Sequence, residues 1–109
     1  MKEFIFNKND YASYKDFYVD VAKQLDAKND LNCLETEDLG FNPNHLYEFL
    51  RDFYDECHKY VFIGFDLEKI KNYKNYENYQ WNIIIEVFED FVKKYPNNTV
   101  EFINEEQYK

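Results

Sequence analysis

Apolar positions in this chain fall into short clusters, and their spacing switches repeatedly between that of strands and that of helices. Phe4-Ile5-Phe6 is a short apolar run followed by the turn-prone Asn7-Lys8-Asn9-Asp10, which predicts a strand. Ser13-Tyr14-Lys15-Asp16 has the form of a capping box, in which a hydroxyl and an acid satisfy free amides of a first helical turn. Phe17, Val21 and Leu25 recur at every fourth position behind it and predict a helix ending near Leu25.

Residues 26–41 carry no clear period. The polar Lys28-Asn29-Asp30 predicts a loop, tacked to the core by Leu31, Cys33 and Leu34, and Gly40 suits a backbone turn. Asn42-Pro43 predicts a helix start, with a side-chain cap and then proline at the first helical position. Leu46, Leu50, Phe53 and Cys57 form one apolar stripe behind it.

Tyr60-Val61-Phe62-Ile63-Gly64-Phe65 predicts a buried strand. Over 66–80 a helical turn around Leu67 and Ile70 precedes a Tyr/Asn-rich loop. Trp81 to Tyr95 predicts a helix with Ile84, Val87, Phe88, Phe91 and Tyr95 on its apolar face, and Pro96-Asn97-Asn98 stops it. Thr99–Ile103 is a final strand, and Glu105 to Lys109 is expected to fray. Strands separated by helices predict an α/β fold: a three-stranded parallel sheet with about four helices, one domain over 1–109.

Composition supports a packed core. Hydrophobic residues make up 45% of the chain, including 11 Phe and 11 Tyr, and only 2 Gly and 2 Pro argue against disorder despite 32% charged residues. The net charge of -9 disfavours nucleic acid and anionic membrane surfaces, and makes a basic protein the natural partner. The same acidity also suits a surface that merely keeps the protein in solution. No apolar stretch approaches the roughly 20 residues of a membrane span. The first residues lack the apolar run of a secretion signal. A cytoplasmic protein with Cys33 and Cys57 as reduced thiols is therefore expected.

The acids are unevenly placed. Glu35, Glu37, Asp38, Glu48, Asp52, Asp55 and Glu56 crowd one loop and one helix, interrupted only by Arg51; seven acids less one base give six of the nine net negative charges. Glu48, Asp52 and Asp55 fall at i, i+4 and i+7 on one helical face, and Asn44 continues that ridge. Such a face either is simply solvated or is used for binding.

Nothing marks an enzyme. The chain has no Ser/His/Asp or Cys/His arrangement and no phosphate-cradling glycine loop. His45 and His58 stand apart from any metal-ligand pattern and read as surface or half-buried side chains, while Trp81 and Ile83-Ile84-Ile85 read as core. No metal or cofactor is implied.

Gly40-Phe41-Asn42-Pro43-Asn44-His45-Leu46-Tyr47-Glu48-Phe49-Leu50 resembles the Gly-x-Asn-Leu-Asp-x-Leu-Trp-Asp-x-Leu pattern of the barstar family of ribonuclease inhibitors. Gly40, Asn42, Leu46 and Leu50 match, and Tyr47 and Glu48 are chemical equivalents. The element order also resembles that family's. The resemblance implies an inhibitor or immunity protein that plugs the active site of a basic, barnase-like ribonuclease with an acidic helix and the loop before it. By position, Glu48 would enter the cationic phosphate site. Asn44 and Asp90 match further acidic contacts, and Tyr47 and Phe53 match flanking aromatic positions. Asp38 and Asp52 complete the expected binding set. The sequence departs from the pattern at Asn44, which lacks the usual charge, at Pro43, at Asp38-Leu39 in place of an aromatic pair, and in a longer loop before the motif. These departures fall on the binding face and leave room for another toxin, or for an acidic adaptor of some other basic protein.

Overall fold

The computed structural model describes residues 2–25, 43–51 and 57–104. Strand β1, Lys2–Asn7, leads through a 3-10 turn at Lys8–Asp10 into helix α1, Tyr14–Gln24. Helix α2, Pro43–Arg51, precedes strand β2, His58–Ile63. The short helix α3, Leu67–Lys71, and the long helix α4, Tyr76–Lys94, lead to strand β3, Thr99–Ile103. The strands form one parallel sheet in the order β1-β2-β3, so among the described residues the expected three-stranded α/β architecture with four helices is present. Among the described residues no helix is long and apolar enough to cross a membrane.

Local chemistry explains most boundaries. Ser13 caps α1 with both halves of the capping box in place: its side chain accepts from the first turn, and the Asp16 carboxylate receives the Ser13 backbone N–H. Phe17, Tyr18, Val21 and Ala22 then line the buried side of α1.

The pleat of the sheet sends Phe4 and Phe6 of β1, and His58, Tyr60 and Phe62 of β2, towards the helices. Their rings interlock with Phe17 of α1 and Phe88 of α4: Phe6 lies 5.0 Å from Phe17, and Phe62 lies 4.9 Å from Phe88. Trp81, fully buried, closes this aromatic core against Phe17 and Phe65.

Four expectations are corrected. Strand β2 starts at His58, two residues before the predicted start, because its ladder pairs His58 with Lys2 and Lys59 with Glu3. It ends at Ile63, where Gly64 adopts φ 75 and turns the chain. His58 is buried, not superficial, since the strand alternation places it edge-on to Phe4 at 5.1 Å. Cys57 lies just ahead of β2 as an exposed free thiol, so it does not extend the apolar stripe of Leu46 and Leu50. Helix α4 begins at Tyr76 rather than Trp81, because Asn75 caps it by accepting from the Asn78 N–H at 2.8 Å.

Candidate functional site

Helix α2 is strongly two-sided. Leu46, Phe49 and Leu50 are fully buried, while Asn44, Glu48 and Arg51 are exposed on the opposite side. Tyr47 lies on the border between the two. It is half-buried, and its ring meets that of Phe91 of α4 edge-on at 5.9 Å. Phe91 is itself fixed in the core beside Tyr60. The exposed face of α2 is thus mounted on three buried side chains and one aromatic contact, which hold its backbone in place.

Asp90 is exposed on α4, directly before Phe91. Its other neighbour, Glu89, accepts from Lys71 of α3 at 3.0 Å. Phe91 therefore marks the side of α4 that meets α2, and Glu89 the side that meets α3. Asp90 stands between these flanks, towards solvent. The predicted site residues Asn44, Tyr47, Glu48 and Asp90 are brought onto two helices in contact. Asp38, Asp52 and Phe53 lie outside the described residues, as do Asn42, Cys33 and the loop predicted over 26–41.

The electrostatics of this face are simple. Among the described residues Glu48 forms no ion pair and no hydrogen bond, so its carboxylate is available to a partner. Arg51, one turn further on, puts a positive charge on the same face. No acid occupies the first turn of α2, where the helix dipole would favour one. Among the described residues no cluster of His, Cys, Asp and Glu could hold a metal ion.

Two features were not anticipated from the sequence. Glu77 joins the starts of α1 and α4 through one carboxylate oxygen. Tyr73, Tyr76 and Tyr79 form an exposed aromatic cluster at the α3–α4 junction. The signals were present: an Asn cap at position 75, an acid two residues later, and Tyr at intervals of three.

Compared with known proteins, the chain matches no family model, no curated protein and no solved structure.

Proposed function

We propose that this protein is a barstar-like inhibitor or immunity protein that binds a basic ribonuclease and blocks its active site with the exposed face of α2. The observation that carries this reading is Glu48: an exposed carboxylate, without a partner among the described residues, in the middle of a helix whose other face is anchored by Leu46, Phe49 and Leu50. A rigidly mounted carboxylate loses little freedom on docking, and meets the Arg and Lys donors of a phosphate-binding cleft with charge-assisted hydrogen bonds. The net charge of -9 would steer it to such a cleft. Binding, not catalysis, is the activity, and it belongs in the cytoplasm, where the exposed thiol of Cys57 stays reduced.

The test is an RNA-hydrolysis assay with a barnase-type ribonuclease. Stoichiometric inhibition is expected, with an association rate that falls as salt shortens the Debye length from about 30 Å at 0.01 M to about 10 Å at 0.1 M. Absence of inhibition at micromolar protein overturns the reading. A second reading, an acidic adaptor for a different toxin or another basic protein, is favoured by Asn44 and Arg51, which leave the exposed face of α2 less negative than a phosphate mimic needs.

A further inference from the structure

Three of the four large hydrophobic side chains exposed among the described residues are neighbours: Tyr73, 45% exposed, Tyr76, 65%, and Tyr79, 39%. They sit on the α3–α4 connection and the first turn of α4. Tyr79 meets Tyr73 edge-on at 5.0 Å and Tyr76 at 6.3 Å, and Tyr14 of α1 supports Tyr76 from behind at 6.2 Å. These contacts hold the rings in place while leaving ring surface open to solvent. The three tyrosines line a shallow depression with Lys74 and Asn75.

A second depression adjoins it and shares Lys74 and Asn75. Its lining residues are all polar or charged: Asp66, Glu68, Lys69, Asn72 and Asn78 join the shared pair, and their stems add apolar surface. The two acids balance the two lysines, so this wall selects neither an anion nor a cation. It still presents many donors and acceptors. Asn72 spends its amide N–H on the Glu68 carbonyl, which leaves its oxygen to offer; Asn75 spends its oxygen on the Asn78 N–H, which leaves its amide N–H group.

We infer that this double depression binds a neutral carbohydrate. A pyranose presents an apolar C–H face that stacks on aromatic rings, and an edge of hydroxyls, each both donor and acceptor, that needs a dense wall of mixed polar groups. Both halves are present side by side, and a neutral ligand is indifferent to the net charge of -9 that repels nucleic acid. The site is independent of the α2 face, since Tyr76 and Phe91 are separated by about 20 Å along α4. Mutual packing of the tyrosines lowers the ordering cost of binding.

The experiment is isothermal titration of the whole protein with cellohexaose, chitohexaose and maltohexaose. At least one is expected to bind, and Tyr76→Ala should weaken it about tenfold, equivalent to about 1.4 kcal/mol. Lys74→Ala should weaken it less, and Glu48→Gln should leave it unchanged. Circular dichroism checks that the variants remain folded. The inference fails if no hexasaccharide binds at millimolar concentration, or if binding survives both Tyr73→Ala and Tyr76→Ala. It fails equally if single-stranded oligo-dT binds through Tyr76 and the sugars do not, which would make the rings a base-stacking platform.

Discussion

The buried indole N–H of Trp81 donates to the Glu77 carboxylate at 2.8 Å, one turn earlier on α4. The same oxygen receives the backbone N–H of Tyr14 at 2.7 Å, so one side chain ties the first turn of α1 to the first turn of α4. Glu77→Ala strands an indole donor inside the core and should cost about 1–3 kcal/mol. Glu77→Gln keeps an acceptor and should recover most of the loss. Urea unfolding of the two variants checks this; an unchanged midpoint for Glu77→Ala would refute the role.

Stability should fall at alkaline pH. Burial, and then the 2.5 Å hydrogen bond that its hydroxyl donates to Asp20, push the Tyr11 phenol well above its ordinary range. Burial chiefly, with Tyr14 second, does the same for Tyr18. Both groups are raised in the folded state, so their contribution is full below the unfolded value of about 10 and is lost as pH rises beyond it, when only the unfolded chain releases those protons. Urea midpoints should decline above about pH 10. The decline should be shallower in Tyr11→Phe.

The first turn of α2 offers a gain. Asn44 is exposed there, with no acid beside it. Asn44→Asp should stabilise the protein by about 0.3–1 kcal/mol at low ionic strength through the helix dipole. The gain should shrink as salt is added. If the proposed function holds, the same substitution should also speed association with a basic partner. Thermal unfolding and stopped-flow binding read these effects separately.

Within the proposed interface, Glu48 should dominate. Truncating one partner of a desolvated charge pair costs about 2–5 kcal/mol, a range borrowed from close charge pairs of this kind, barnase–barstar included. Glu48→Gln should therefore weaken binding by tens- to thousands-fold and leave thermal stability nearly unchanged. Asp90→Asn, further from the centre of α2, should cost about 0–1 kcal/mol as a rim charge. Titration of both variants against the ribonuclease settles the ranking, and a larger loss for Asp90→Asn would mean that α4 leads the contact.

Much of the fold was legible because its signals are local. The capping box at Ser13 and Asp16 is complete within four residues, and the two-sidedness of α2 follows from Leu46 and Leu50. Much of what failed depends on partners distant in sequence. The start of β2 is set by Lys2 and Glu3 across the ladder, not by the apolar content of Tyr60 to Phe65. Residues 76–80 looked like a loop because Tyr and Asn are indifferent helix formers; the Asn75 cap and the Glu77 bond to Tyr14 make that turn helical. In the candidate site, spacing exposed Glu48, but the seat that Tyr47 finds against Phe91 is a tertiary contact no local pattern carries.

The sheet order carries a consequence for how the chain reaches this state. Among the described residues, strand β2 is the one strand neighbour of both β1 and β3, with Lys2 opposite His58 and Lys59 opposite Thr99. Neither of these ladders joins strands close in sequence, so each requires a long loop to close first. Pairing at such separation places the protein among the slower-folding small α/β domains. During synthesis, the β1–β2 ladder must wait until β2 has left the ribosome, and α1 is the first described helix made after β1 that can cover Phe4 and Phe6.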